Sequence, residues 1–383
     1  MRRKKVNPSG GSQSKKMKLD AAQAGPPPDG AFHPDREIPV PNELLGEDVS
    51  FGRNEKEGFQ GNQNDIDQEC GKVLFENLPM SDQFMEEEFY VRDCYRQYYD
   101  YISASLANGF YQISLTGTPG IGKSIFYIYF FQRYRTEFPK ATIVTSSFTM
   151  NSKLKQCIRY GPDDILGEKF SDIRELEADI YLYDGPPEME PGPRKKMVSF
   201  TSPNYAWFRI MGKTRYHACM HLPFWSLEEL LEANEMLKIG LNYETIRQRH
   251  SVFGGVARYC LSVSDAFERV GRGLLDANLS RVKTCDQLLE LLEETQQKTE
   301  VSHRLFHITP TISDMPLFAQ FFTYSLASRH VAQLISDTIK RNDHALRRNL
   351  LDFLKISPAA NNLIGKLFEV HCVRDMSPGS VFD

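Results

Sequence analysis

Long apolar runs are missing from this chain. A membrane span needs about 18 apolar residues in a row, and the longest run beside any candidate site, residues 125–131, holds seven. No hydrophobic segment follows the charged start MRRKKVNPSGGSQSKK, so no standard secretory signal is expected. Cysteine is sparse. The seven thiols are scattered, with no C-x-x-C and no metal-ligand spacing, which suits a reducing compartment better than a disulfide framework. An overall positive charge is lacking too. With 46 basic against 50 acidic residues the net charge is −4, which argues against a body built to hold a polyanion. Internal repeats are absent. What remains, 41% hydrophobic and 25% charged over 383 residues, is ample for a buried core and for more than one average domain.

The charge is unevenly placed. Residues 1–20 carry Arg2, Arg3, Lys4, Lys5, Lys15, Lys16 and Lys18 against one acid, Asp20, for +6, which leaves −10 on the rest. Residues 1–45 are poor in aromatics and rich in Pro, Gly and Ser, a composition that predicts a disordered basic tail. Its clusters at 2–5 and 15–18, separated by residues 6–14, have the layout of a bipartite nuclear-import signal, with a nuclear import receptor as partner.

Residues 46–110 read as a helical lead-in, with Phe84, Phe89, Tyr90, Tyr95, Tyr98, Tyr99 and Tyr101 at helical spacings. Strands are predicted at 111–116, 141–147, 178–183, 196–201 and 217–223, with a helix at 123–134. This alternation over 111–225 predicts a parallel sheet flanked by helices. The next stretch, 226–300, reads as a helical lid opened by a Ser226/Glu229 capping box, with a second box at Thr284/Gln287. Residues 301–383 read as one long helix and a short tail.

Gly117-Thr118-Pro119-Gly120-Ile121-Gly122-Lys123-Ser124 fits G-x-x-x-x-G-K-[ST] without a mismatch. The glycines let backbone N–H groups wrap a phosphate. Lys123 is placed to reach the β and γ phosphates, Ser124 to ligate Mg²⁺, and the following helix presents its positive end. A strand ending in Asp184 supplies the metal-side carboxylate. The next residue is Gly185 rather than a water-orienting acid, and Glu188 or Glu190 could polarise water across Pro186 and Pro187. Ser202 or Asn204 is a candidate γ-phosphate sensor, and Arg258, after Gly254-Gly255, a candidate nucleotide contact from the lid. No N-K-x-D motif reads a guanine, which favours ATP over GTP. Three readings stay open: a slow ATPase switch, a small-molecule kinase using Arg209, Arg215, Arg247, Arg249 or Arg258, and a module that binds nucleotide for stability alone.

GTPGIGKS, then FFQRYRTEFP, YLYDGPP, VSFTSPNYAWF, HLPFWSLEELLEAN and FGGVARYCL together resemble the P-loop region of Crinkler effectors. These are proteins of oomycetes and some fungi, related to the retrotransposon hot spot proteins of trypanosomes. The resemblance runs from about Leu78 to Phe382. It implies an ASCE-type P-loop NTPase module with Lys123, Ser124 and Asp184 in the roles given above. It also implies secretion by a non-standard route and action in a host nucleus, on a host nuclear protein or chromatin, in defence or cell death. A basic tail stands where members carry a ubiquitin-like header. Residues 363–369 resemble the first helix of the nuclease-like domain that follows in members, with Glu369 in its acid position. No D…E-x-K follows before Asp383, so no two-carboxylate nuclease site is expected.

Overall fold

A computed structural model describes residues 88–149, most of 151–291, 302–310 and 322–340, together with 72–74, 352 and 363. All of these lie in one unit, Asn62–Asp383. The basic tail, Phe84, Glu188, Arg215 and Glu369 lie outside the described residues.

Short runs of apolar residues mixed with small polar ones form the sheet. Strands β3 (Gln112–Thr116), β4 (Ile143–Phe148), β7 (Ile180–Asp184), β8 (Met197–Phe200) and β9 (His217–His221) pair in parallel. They are buried almost throughout, as strands of a sheet covered on both faces must be. Two further strands, β5 (Leu154–Tyr160) and β6 (Glu168–Lys169), extend the β4 edge in antiparallel fashion. The spatial order is β6-β5-β4-β7-β8-β3-β9. Strand β8 therefore separates the strand that feeds the glycine loop from the strand that ends in Asp184.

Helix α2 (Lys123–Glu137) follows the loop and buries Phe126 through Phe131 without a break. A helix apolar on nearly every side is one covered on nearly every side. The sheet lies under it, and α1 (Asp93–Ala107) packs Tyr95, Tyr98 and Tyr99 against Phe126, Tyr129 and Phe130. The other sheet face carries α3 (Tyr205–Met211), whose Trp207 indole donates to the Ser114 and Ser199 hydroxyls.

The lead-in is less helical than its spacings suggest. Phe89 and Tyr90 belong to β2 (Glu88–Tyr90), which pairs antiparallel with β1 (Lys72–Leu74), and the helix begins only at Asp93. After β9 come α4 (Leu227–Met236), α5 (Tyr243–Phe253), α6 (Ala257–Cys260) and α7 (Asp265–Ser280). The Ser226/Glu229 box is reciprocal, and so are the Thr284 and Gln287 bonds. The segment from 301 is not one long helix. A short α8 (Ser302–Leu305) leads into β10 (Phe306–Pro310), which pairs antiparallel with β11 (Phe322–Leu326) before α9 (Arg329–Lys340). Strand β10 buries Phe306, His307 and Ile308 and its partner β11 buries Tyr324 and Leu326, so a strand pair covers the apolar residues that a helix was expected to carry. Among the described residues no helix is long and apolar enough to cross a membrane.

Candidate nucleotide-binding site

The loop between β3 and α2 turns through Gly117, Gly120 and Gly122 at φ of 145°, 90° and 103°. At Gly120 a Cβ would sit 2.9 Å from Arg258 Cβ, so left-handed backbone and close approach both demand glycine there. The loop's carbonyls are engaged, two by its own lysine and three from elsewhere in the fold. Lys123 Nζ donates to Gly117 O at 2.8 Å and Thr118 O at 3.0 Å. The Arg258 backbone N–H donates to Gly120 O at 3.1 Å, Trp225 Nε1 to Ile121 O at 2.8 Å, and Tyr95 Oη to Gly122 O at 3.1 Å. Among the described residues nothing accepts from the backbone N–H groups of Gly120, Ile121, Gly122, Lys123 or Ser124. Helix α2 starts at Gly122 with no side-chain cap, and Thr118 Oγ1 is buried without a partner. Engaged carbonyls and unclaimed N–H groups at a helix N-terminus are the electrostatics of an anion nest.

Lys123 is 7% exposed. Burial lowers its pKa to about 7, against the pull of Asp184 and with the push of Arg258. Ser124 Oγ donates to Asp184 Oδ1 at 2.8 Å, so hydroxyl and carboxylate meet at the start of α2. Burial raises the Asp184 pKa, while the Ser124 bond and the Lys123 and Lys155 charges draw it back. Among the described residues no group of three or more His, Cys, Asp or Glu could hold a metal. One hydroxyl and one carboxylate fit a hard cation that keeps waters and phosphate oxygens as its other ligands, which is how Mg²⁺ is commonly held.

Gly185 sits at φ 100°, with its N–H bonded to Phe200 O at 2.9 Å. A Cβ there would lie 3.0 Å from Phe148 O. This backbone strains any side chain placed directly after Asp184, a water-orienting acid included. Asn204 Oδ1 accepts from the Trp207 N–H at 3.0 Å as α3 begins, a capping task. Of the arginines considered for a kinase, Arg247 pairs with Glu244, Arg249 is buried against Ser262 O and Asp265, and Arg258 alone is seen at the loop among the described residues. Tyr95 and Trp225 carry no local sign of their part, because each reaches the loop only through the fold.

Fold and loop together define an α/β protein with a mostly parallel seven-stranded sheet, compatible with a P-loop NTPase-like fold. Among curated proteins the chain is similar to Crinkler effector protein 15 of Phytophthora infestans, with 26% identity over 279 residues. That alignment covers 70% of this chain and 43% of the relative, so the match spans less than half of that protein's length. A crystal structure of a DNA replication initiation factor aligns over 74% of this chain and 95% of its own, at 10% identity and a TM-score of 0.25, too loosely to carry an argument. No family model matches.

Proposed function

We propose that this chain binds ATP with Mg²⁺ at loop 117–124 and uses it as a slowly hydrolysed switch in a Crinkler-like effector. The observation that carries this is the loop itself, with five N–H groups unclaimed around the Lys123 ammonium and the Ser124–Asp184 pair beside them. Strand β8, interposed between β3 and β7, supports the ASCE-type assignment. In this reading the loop N–H groups and Lys123 bind the phosphates, Ser124 and Asp184 orient the cation and its waters, and Arg258 closes the site from the lid side. Bound Mg²⁺ would neutralise charge on the β and γ phosphates.

The glycine after Asp184 supports a specific second reading, in which nucleotide is held without turnover and stabilises an interaction surface. Glu188 remains a proposed acid for the first reading. The similarity to a Crinkler effector supports an effector role. Nuclear action on a host protein or chromatin is part of the same proposal, with the clusters at 2–5 and 15–18 read by an import receptor. Calorimetric titration of the full chain with ATP, with and without Mg²⁺, tests the site, and product analysis with labelled ATP tests the chemistry. Released phosphate supports the switch. Binding without product supports the second reading, label transferred to an added acceptor would make it a kinase, and absence of binding refutes the assignment.

A further inference from the structure

Strand β4 places an unused hydroxyl against the metal side of this site. In the parallel pairing of β4 with β7, Ser147 is the register partner of Asp184. Register partners on neighbouring strands, about 4.8 Å apart, point to the same face of the sheet. Ser147 therefore shares the face on which Asp184 meets Ser124. It is 2% exposed, and its Oγ has no hydrogen-bond partner. Two residues earlier on that face, Thr145 Oγ1 reaches across to Ile158 O at 3.3 Å. Beyond Ser147 the β4–β5 ladder breaks, as Ser147 pairs with Gln156 but Phe148 with Leu154. A bulge of this kind commonly re-aims side chains beside a site. An unpaired buried hydroxyl is costly and calls for a partner the fold alone does not supply.

We propose that Ser147 Oγ holds a water of the Mg²⁺ shell when nucleotide is bound, and so sets the Mg²⁺ affinity of the complex. It is a positioning residue that acts through that water rather than by direct ligation. The inference rests on the nucleotide reading given above.

Its test is a Mg²⁺ titration of the full chain saturated with a non-hydrolysable ATP analogue, read as a melting shift. Outer-shell partners of metal sites typically contribute 10–100-fold in affinity, so Ser147→Ala should raise the half-saturating Mg²⁺ concentration about tenfold. Binding of the analogue in chelator should stay unchanged. The empty Ser147→Ala protein should melt no lower than wild type, because the hydroxyl it loses bonds to nothing there. Ser146→Ala, altered on the opposite face, should titrate like wild type. A Ser147→Ala protein with the wild-type Mg²⁺ curve, or one that melts lower when empty, overturns the inference and leaves the nucleotide reading standing. A wild-type protein with no nucleotide-dependent shift overturns both.

Discussion

Replacing Lys123 with alanine tests the site at its most charged point. In the empty protein the ammonium is buried and donates to Gly117 O and Thr118 O. A desolvated, charge-assisted contact to phosphate contributes about 1.5–3 kcal/mol, so the variant should bind ATP about 10- to 150-fold more weakly. The empty fold should not weaken in proportion. Two carbonyls lose a donor, at about 1–3 kcal/mol, but a cation that burial has made costly leaves with it. The pH dependence has a definite sign. With a pKa of about 7 in the empty site, Lys123 loses its proton above that pH, while a bound phosphate favours the ammonium. Binding then takes up a proton, and wild-type affinity should fall by up to about tenfold per pH unit above 7. For the empty fold the trend is opposite. The unfolded chain keeps this proton up to the ordinary lysine value, so stability rises with pH from about 7. Calorimetry and melting curves between about pH 6 and 9 read both trends. An unchanged ATP-induced melting shift in Lys123→Ala, or a wild-type affinity flat across that range, refutes the reasoning.

Asp184→Asn keeps an oxygen for the Ser124 hydroxyl but removes the charge that burial disfavours. A carboxyl with a raised folded pKa stabilises below its unfolded value and loses that contribution as pH rises through the folded one. At neutral pH the empty Asn variant should therefore melt higher than wild type while its Mg²⁺ response is lost, and a lower melting temperature with intact Mg²⁺ response would make Asp184 structural only. Gly185→Ala should destabilise by about 1–3 kcal/mol in denaturant titration, because an L side chain resists φ 100° and meets Phe148 O. Equal stability would undercut the strain assigned to an acid after Asp184. Deleting residues 2–18 should abolish nuclear accumulation of a fluorescent fusion, and a deletion that stays nuclear removes the import role from this segment.

Where local chemistry is one-sided, the sequence is legible. The glycine loop, its feeding strand and helix α2 follow from residues 111–134 alone, since only glycine tolerates that backbone and only a covered helix carries IFYIYFF. The antiparallel strand β5 is not legible in this way, because LKQCIRY mixes exposed and buried positions and the residues between β4 and β5 include no glycine or proline. The β10–β11 pair escapes for a related reason: FHITP mixes polar and apolar residues without an alternation that matches its burial. Tyr95, Trp225 and Ser147 escape because their roles exist only across the fold. Trp225 lies 104 residues from the carbonyl it holds.

On the proposed reading of loop 117–124 as a phosphate site, long-range bracing bears on what must move when a phosphate arrives. Arg92, 1% exposed, donates to both Glu229 oxygens and to Pro223 O and Phe224 O, and its guanidinium lies 4.7 Å over the Trp225 ring. Glu229 also closes the capping box of α4, and the Trp225 N–H donates to Gly255 O ahead of α6. The exit of β9, the start of α4 and the approach to α6 are thus tied at one point, from which the Trp225 indole reaches the loop. A buried ion pair of this kind contributes less to net stability than to fixing one arrangement, since its desolvation offsets much of its attraction. Here the arrangement it fixes includes the Ile121 carbonyl, held by the Trp225 indole. In the proposed reading a backbone held in this way is preorganised for an anion, which spares part of the ordering cost of binding. In that reading the Lys123 ammonium exchanges Gly117 O and Thr118 O for phosphate oxygens. The energetics of binding accordingly concentrate on that one side chain, and its titration is where they should be read.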